Sequence, residues 1–433
     1  MLYFQCVIAR ALNKAFFIGE KRLLMNLLQK WMNISLVLRI FIGLIIGAIL
    51  GLALPQLTWL AIFGDIFVGA LKGIAPVLVF VLVASSLANA KGGNADRFKT
   101  VIFLYMLSTL IAAFVAVCMN FIFRVKVPLT GVENVAEDLT PPGSVFEVLR
   151  NLCLSFVANP IDAIANANYI AILFWAVVVG LALKAAGAGT KAFFHDMADA
   201  LSKVVRWIIN FAPFGIMGLV FNAVSTSGLA IFKNYGQLVA LLVCTMLITS
   251  LGINAIIVGL TLKRNPYPLM WYCIKRSALT AFFTRSSAAN IPVNMELCKD
   301  LGLDEDMYSV SIPLGSTINM DGAAVTITTL TLVACWTTGV DVSFPMAILL
   351  SIVATLSACG TSGVAGGSLL LVPLGCSMFG IPVDIAMQMV GIGFIISVVQ
   401  DSVETALNSS GDAIFTATAE FYSWKKEGRE LPL

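Results

Sequence analysis

Uninterrupted apolar runs about twenty residues long dominate the first 262 positions of this sequence. Two examples are SLVLRIFIGLIIGAILGLAL at 35–54 and LVALLVCTMLITSLGINAIIVGL at 238–260. A helix needs roughly 20 apolar residues to cross the hydrocarbon core of a bilayer. Only 12% of the residues are charged, about half the fraction that is usual in soluble domains. The chain is therefore predicted to be an all-α multi-pass membrane protein, because a membrane β-barrel would show short alternating strands instead.

The distribution of basic residues predicts the orientation of the candidate spans. These spans fall near 35–54, 60–89, 98–123, 166–186, 203–224 and 236–262. Lysine and arginine concentrate before the first span, after the second, fourth and sixth spans, and in the last nine residues. By the positive-inside rule both termini are cytoplasmic and the loop at 124–165 is external. Residues 1–33 are predicted to be a cytoplasmic extension, since their apolar stretch is short and has no small-residue cleavage site. Residues 421–433 are predicted to be a cytoplasmic tail.

Two similar units occupy the part of the chain beyond position 265. Each begins with an apolar segment that small polar residues interrupt, TRSSAAN at 284–290 and GTSGVAGGS at 360–368. Each continues as a helix that carries acidic residues, STINMDGAAVTITTLTLV at 316–333 and SVVQDSVETALNSSGDA at 397–413. Paired interrupted segments point to a transporter binding site. Two straight spans remain the alternative to two re-entrant hairpins, and the polar tips favour hairpins that line a polar cavity.

Five polar residues of the last unit share one face of a helix. They are Asp401, Glu404, Thr405, Asn408 and Asp412, at spacings typical of a helical stripe. An intramembrane carboxylate costs at least ~2.5 kcal/mol, so three of them indicate a functional site. A helix lying on the membrane surface is the alternative, which the apolar opposite face disfavours.

The stretch TINMDG at 317–322 predicts a local unwinding in mid-span, because Asp321 is followed directly by Gly322. Freed carbonyls together with carboxylate and amide oxygens are hard ligands that suit a small cation. A simple kink with a satisfied Asp321 is the structural alternative.

The interruption at TRSSAAN predicts half-helix ends that point into the protein. Free N–H groups at such an end suit a carboxylate, so Ser286 and Ser287 are candidates to hold the carboxylate of a small solute. A loop that merely connects two helices is the alternative. Arg285 needs an acidic partner at this depth, and Asp401 and Glu404 are both candidates.

Four motifs together resemble the dicarboxylate/amino acid:cation symporters, the family of the glutamate-transporter homologues. They are TRSSAANIPVN, SIPLGSTINMDGA, GTSGVAGGSLLLVPL and QDSVETALNSSGD, and the resemblance runs from roughly residue 35 to 420. It implies eight transmembrane helices plus two re-entrant helical hairpins with inverted repeats, assembled as a homotrimer whose transport domains slide past a scaffold. Residues 34–262 would hold the first six helices, with the scaffold and part of the transport domain. Residues 263–420 would form the transport core of hairpin 1, helix 7, hairpin 2 and helix 8.

The resemblance also implies residue roles. Asp401 would meet the amino group of the substrate, while Thr405, Asn408 and Ser287 would hold its carboxylate, and Gly363 and Val364 would form the extracellular gate. The candidate substrate-binding residues are Arg285, Ser286, Ser287, Gly363, Val364, Asp401, Glu404, Thr405 and Asn408. Sodium, the one co-transported ion implied, would occupy three sites. They comprise Asp412, Asn408 and the Asn319 backbone; the backbones of Thr317, Ala358, Cys359 and Thr361; and Asp321 and Asn319 with Tyr105, Ser108 and Thr109. No organic cofactor and no catalytic residue is implied.

Two departures from the family pattern concern the substrate. Members that take acidic substrates carry Arg where this chain has Glu404, and often Thr where it has Ala323. A second substrate carboxylate would therefore face Glu404 without a guanidinium, a like-charge contact that is costly in a poorly hydrated site. The prediction is sodium symport of a small neutral amino acid, serine or threonine, by elevator-type alternating access across the bacterial inner membrane. Two states of Glu404 remain open, ionised beside Arg285 or protonated.

Other functions fit the sequence less well. A proton- or sodium-coupled carrier of dicarboxylates or acidic amino acids with the same fold is the main alternative, although acids among hydroxyls and amides favour sodium over a proton relay. A channel is disfavoured by the paired broken segments. An intramembrane protease built on Ser362 and the single histidine, His195, is disfavoured because the topology puts them at opposite faces. The nine cysteines form no C-x-x-C pair, and the net charge of +3 gives no reason to expect a nucleic-acid partner.

Overall fold

The structure is a computed structural model that describes residues 34, 36–89, 95–129, 154, 157–228, 230–359, 361 and 366–432. Throughout these ranges every regular element is a helix. The predicted extension at 1–33, most of the predicted external loop, and Ser362, Gly363 and Val364 lie outside the described residues.

The described residues up to position 262 form nine α-helices. They are α1 Leu36–Ala53, α2 Ala61–Asn89, α3 Ala95–Phe123, α4 Pro160–Ala165, α5 Tyr169–Leu183, α6 Ala188–Asn210, α7 Ala212–Ser227, α8 Ala230–Ile248 and α9 Asn254–Leu262. A π-helical turn at Thr249–Ile253 joins α8 to α9, so the two form one continuous rod.

Eight further α-helices form the second part of the described chain. They are α10 Tyr267–Cys273, α11 Leu279–Thr284, α12 Ser287–Asp300, α13 Glu305–Ile318, α14 Asp321–Thr338, α15 Phe344–Ala358, α16 Val372–Ser377 and α17 Val383–Lys426.

Five helical segments among the described residues are long and apolar enough to cross a membrane. They are Thr58–Asn89, Phe98–Phe123, Lys233–Leu262, Glu305–Thr338 and Val383–Lys426. The multi-pass character that the sequence predicts is therefore confirmed. The predicted spans at 35–54 and 166–186 also form helices, but shorter apolar ones.

The predicted span at 203–224 contains a break that the sequence analysis did not predict. The chain forms two helices there, α6 and α7, which meet at Phe211 with a bend of 52°. Pro213 lies in the first turn of α7 and has no backbone N–H to continue the hydrogen bonding of α6, which explains why the helix breaks at this point. Counted as one bent span, the pair raises the number of candidate spans from five to six.

Two glycines let the backbone of α1 pack directly against the backbone of α7. Gly43 and Gly47 are one helical turn apart, and a Cβ on them would fall 2.1 Å from the Pro213 carbonyl oxygen and 2.4 Å from that of Met217. Small residues at this spacing bring membrane helices together by backbone packing.

The long helix α17 lies at the centre of the second part and packs against α3, α11, α12, α13 and α14. Of the residues of α14, all but Thr337 are buried, so the polar groups on α14 and α17 face other protein atoms. Buried polar groups must find partners or ligands, and this requirement shapes the site described next.

The interruptions predicted at 284–290 and beside Asp321 are present. Between α11 and α12, Arg285 adopts the left-handed conformation (φ 50°) and the Ser286 hydroxyl caps α12 by accepting from the Ala289 N–H at 3.2 Å. The unwound residues before Asp321 are Asn319 and Met320, so Asp321 itself begins α14.

Candidate functional site

A small cavity forms where the two interruptions meet α17. It is lined by Arg285, Ser287, Met320, Thr361, Ser368, Asp401, Glu404, Thr405 and Asn408. The space that the centre of a water-sized molecule could occupy there is only about 10 Å³, so the lining side chains nearly fill the cavity. Six of the nine predicted substrate-binding residues line it. Ser286 is the cap of α12 next to it, and Gly363 and Val364 fall outside the described residues.

Arg285 meets Asp401 at one wall of the cavity. Its Nη1 lies 3.7 Å from Asp401 Oδ2, and both side chains are buried. The other carboxylate oxygen, Oδ1, accepts a hydrogen bond from the Gly366 N–H at 3.2 Å. Asp401 therefore joins the break between α11 and α12 to the chain that follows α15. Of the two partners that the sequence offers Arg285, the structure selects Asp401.

Glu404 is held by a different set of side chains. Its Oε2 accepts hydrogen bonds from Thr326 Oγ1 at 2.6 Å, Ser368 Oγ at 2.9 Å and Gln400 Nε2 at 2.5 Å. Gln400 Nε2 also donates to Thr326 Oγ1 at 2.8 Å. Three donors on one oxygen suit a carboxylate, which only accepts hydrogen bonds.

Asn408 links α17 to the start of α14. Its Oδ1 accepts from the Gly322 N–H at 2.7 Å, and its carbonyl oxygen accepts from Asn319 Nδ2 at 3.1 Å. Gly322 permits this approach, because a Cβ there would lie 2.9 Å from the Cα and the carbonyl oxygen of Glu404. Thr405, in contrast, uses its hydroxyl within α17 and donates to the Asp401 carbonyl oxygen at 2.8 Å.

The side chain of Asp321 is surrounded by donors from α3 and α9. Oδ1 accepts from the hydroxyls of Ser108 at 2.9 Å and Thr109 at 3.0 Å, and Oδ2 accepts from Asn254 Nδ2 at 3.0 Å. The Thr109 hydroxyl in turn lies 3.3 Å from the Met320 N–H in the unwound stretch. The structure thus brings Ser108 and Thr109 to Asp321, as the resemblance implies.

Asp412 forms a second buried carboxylate site next to Asp321. Asn319 bridges the two, since its Nδ2 lies 3.0 Å from Asp412 Oδ1 and its Oδ1 lies 3.3 Å from the Ser108 hydroxyl. Asp412 Oδ2 is enclosed and has no hydrogen-bond partner among the described residues. A buried carboxylate oxygen without a donor is a natural ligand for a small cation.

Tyr105 contacts the Asp412 side of this region. Its hydroxyl lies 2.8 Å from the Thr416 hydroxyl and 3.1 Å and 3.2 Å from the carbonyl oxygens of Asp412 and Ser311. The Tyr105 hydroxyl therefore faces the Asp412 side, whereas the Tyr105 carbonyl oxygen accepts from the Ser108 hydroxyl at 3.0 Å.

The remaining predicted cation ligands lie where α15 ends beside the end of α13. The Cys359 thiol is 3.7 Å from the Ile318 carbonyl oxygen, and the Thr361 N–H donates to the Ala358 carbonyl oxygen at 3.0 Å. The Thr317 hydroxyl donates to the Leu314 carbonyl oxygen at 2.8 Å. Within the described residues no group of three His, Cys, Asp or Glu side chains is close enough to hold a metal ion, so the donors gathered here are mainly carbonyl, amide and hydroxyl oxygens.

Residues 36–420 match the profile of the Sodium:dicarboxylate symporter family. The chain belongs to this family. The "Serine/threonine transporter SstT" of Bifidobacterium adolescentis is 57% identical over 399 residues, 92% of each chain. The protein of the same name from Streptococcus thermophilus is 54% identical over 92% of this chain and 99% of its own. That of Streptococcus agalactiae serotype III is 54% identical over 91% and 97%, respectively.

This symporter-family site contains polar residues that the sequence patterns did not single out. Asn254, Thr326, Ser368 and Gln400 all bond the predicted acidic residues. Asn254 lies inside an apolar span, two positions after Gly252, and Gln400 precedes Asp401 on the same helix. A polar residue within a membrane segment was therefore the available signal for both. Thr326 and Ser368 gave no such sequence signal, because hydroxyl side chains are common in membrane helices.

A second missed cluster fastens α12 to α17. Asn290 Nδ2 lies 2.9 Å from the Ser277 hydroxyl and 2.8 Å from that of Ser409, and Asn294 Nδ2 donates to the Ser409 carbonyl oxygen at 2.8 Å. The two asparagines are four residues apart in the NIPVN stretch, which is the spacing of one helix face.

His195, the histidine of the protease alternative, lies on an exposed face of α6. Its Nε2 is 3.9 Å from Asp199 Oδ2. Ser362, the other residue of that alternative, lies outside the described residues.

Proposed function

We propose that this family member is a secondary active transporter that imports serine and threonine together with sodium. The relatives named serine/threonine transporters support this proposal, because each is more than half identical to this chain over nearly its whole length. No catalytic role is assigned to any residue.

The charge balance of the cavity carries the proposal. Its lining includes two carboxylates, Asp401 and Glu404, and one guanidinium, Arg285. A zwitterionic amino acid can place its ammonium group against the carboxylates and its carboxylate near the α12 N-terminus, where Ser287 lies. A second carboxylate on the substrate would meet Glu404, whose three bonded neighbours are neutral.

The substrate roles follow from this arrangement. Asp401 would receive the ammonium group, and Thr405, Asn408, Ser286 and Ser287 would surround the carboxylate. Gly363 and Val364 would close the cavity from outside.

Sodium would bind at three oxygen-rich places. Asp412 and Asn408 with the Asn319 backbone would form one, and its support is the unpartnered Asp412 Oδ2. Asp321 and Asn319 with Ser108, Thr109 and Tyr105 would form another. The backbones of Thr317, Ala358, Cys359 and Thr361 would form the third, and the contact between α13 and α15 supports it.

The architecture proposed is eight transmembrane helices plus two re-entrant hairpins, assembled as a homotrimer that works by an elevator movement. The breaks after α11 and after α15 both reach the buried face of α17, where irregular backbone can be tolerated in a membrane. Residues 34–262 would contain the scaffold and residues 263–420 the transport core. The distribution of basic residues supports cytoplasmic termini at 1–33 and 421–433, and a bacterial inner membrane is the expected location.

A symporter of dicarboxylates or acidic amino acids, driven by protons or sodium, is the second candidate, because the family description names dicarboxylates. Purified protein in proteoliposomes separates the two. We expect uptake of labelled serine to require an inward sodium gradient at fixed pH and to stop when choline replaces sodium. Unlabelled threonine should compete and aspartate should not. Equal competition by aspartate, or uptake that follows a proton gradient without sodium, would favour the second candidate.

A further inference from the structure

We infer that Glu404 recognises the β-hydroxyl group of the substrate and that Gln400, Thr326 and Ser368 position it for this task. The inference rests on the proposed function and defines its substrate class as β-hydroxy-α-amino acids.

The two oxygens of Glu404 have different environments. Oε2 accepts from Thr326, Ser368 and Gln400 and has no capacity to spare for a ligand. Oε1 has no hydrogen-bond partner among the described residues, and, unlike Asp401 Oδ2, it is not a fully enclosed atom. Because the Glu404 side chain lines the cavity, Oε1 is the oxygen available to a bound solute.

The position of Glu404 relative to Asp401 suits this solute. The two residues are three positions apart on α17, and such side chains are neighbours whose Cβ atoms are about 5–6 Å apart. Serine and threonine carry the amino group and the hydroxyl on adjacent carbon atoms. An ammonium group at Asp401 therefore leaves the hydroxyl directed along the same helix face, toward Glu404 Oε1.

Gln400 is the positioning residue of the set. It lies one helical turn before Glu404, is completely buried, and its Nε2 bonds both Glu404 Oε2 and Thr326 Oγ1. These bonds fix the orientation of the Glu404 carboxylate. Gln400 Oε1 has no partner among the described residues, so Gln400→Met removes these two bonds and no other side-chain bond.

Hydroxyl recognition predicts a preference for serine over alanine, which differ by this one group. A hydrogen bond to a charged acceptor corresponds to roughly a 10- to 100-fold difference in affinity. We expect alanine to compete with labelled serine more weakly than serine itself by a factor in this range. The measurement is equilibrium competition on the purified full-length protein in sodium, with sodium-driven uptake in proteoliposomes alongside.

Variants separate positioning from general structure. In Gln400→Met we expect the serine affinity to fall roughly three- to tenfold while the alanine affinity stays unchanged. The preference for serine over alanine would then become smaller by the same factor. Gln388→Met is the matched control, because it makes the same change on α17 beside a different cavity. Thr326→Val removes the neighbouring donor and serves as the test if the unfolding temperature shows that Gln400→Met is poorly folded.

The outcomes are distinct. If alanine competes as strongly as serine in a parent protein that still takes up serine with sodium, hydroxyl recognition is overturned and the proposed function stands. If Gln400→Met and Thr326→Val keep the full preference, the positioning role is overturned. If the parent takes up no serine with sodium, the proposed function fails, and the inference that rests on it fails too.

Discussion

The guanidinium of Arg285 lies 3.7 Å from the carboxylate of Asp401, and the two side chains are only 6% and 4% exposed. This ion pair joins a break in one part of the chain to the middle of the longest helix. Because the same carboxylate also accepts from the Gly366 N–H, the substrate ammonium group that we propose to bind Asp401 would compete with contacts already made inside the protein.

Removing one partner of this pair should destabilise the protein. We expect Arg285→Met to lower the free energy of unfolding by about 3–5 kcal/mol, because it leaves a buried carboxylate without a cation. Unfolding of the detergent-solubilised protein measures this. Arg276→Met is the control, since the Arg276–Asp300 pair is about half exposed and such pairs contribute at most about 1 kcal/mol. Equal losses in the two variants would show that the buried pair has no special role.

A charge reversal at Glu404 should change the substrate. We expect Glu404→Arg to weaken serine uptake roughly tenfold or more, since it removes the acceptor from three donors and from the solute. The new guanidinium should also allow aspartate to compete. Glu305→Arg makes the same change at an exposed position of α13 and should leave both properties intact. Serine uptake and aspartate competition that match the parent protein would contradict the role given to Glu404.

Neutralising Asp321 should weaken sodium binding. We expect Asp321→Asn to raise the sodium concentration for half-maximal serine binding about tenfold or more, because affinity for a hard cation depends on the charge of its ligands. Asp306→Asn, at an exposed site on α13, is the control. A sodium titration of serine binding gives the answer, and an unchanged midpoint in Asp321→Asn would remove Asp321 from the cation ligands.

A methyl group at Gly322 should separate α14 from α17. Its Cβ would lie 2.9 Å from the Glu404 backbone, so we expect Gly322→Ala to cost about 1–3 kcal/mol of stability and to impair serine binding. Gly236→Ala is the matched control, because nothing lies within 4 Å of a Cβ there. Unfolding and binding measured on both variants test this, and similar behaviour of the two would show that the helices can adjust.

The predictions from sequence were most accurate where the pattern was local. The acidic stripe on α17 follows from helical periodicity alone, and the break at Arg285 follows from a run of small polar residues between apolar ones. The break beside Asp321 was predicted to within two residues, as it occupies Asn319 and Met320. The bend within the span at 203–224 was not predicted, because the assignment considered total apolar content and not the effect of Pro213 on the backbone.

The partners of the acidic residues were less accessible. From sequence spacing alone, Arg285 had two possible partners, Asp401 and Glu404. In the structure, Thr326 and Ser368 from other elements bond Glu404 together with Gln400, and Arg285 pairs with Asp401. Asn254 reaches Asp321 from a helix 67 positions earlier in the chain. Tyr105 is on the same helix as Ser108 and Thr109, but its hydroxyl donates to the Asp412 carbonyl oxygen and does not reach Asp321.

By itself, the sequence therefore determined that the chain spans a membrane and is helical. It also determined where polar residues interrupt the helices and which face of α17 carries the acidic residues. Each of these depends on properties of one segment, namely its length, its apolar content and its periodicity of 3.6 residues. Only the tertiary structure decided which donor meets which carboxylate. Those pairings join elements far apart in the chain, and their geometry follows from how whole helices pack, which no spacing within one segment contains.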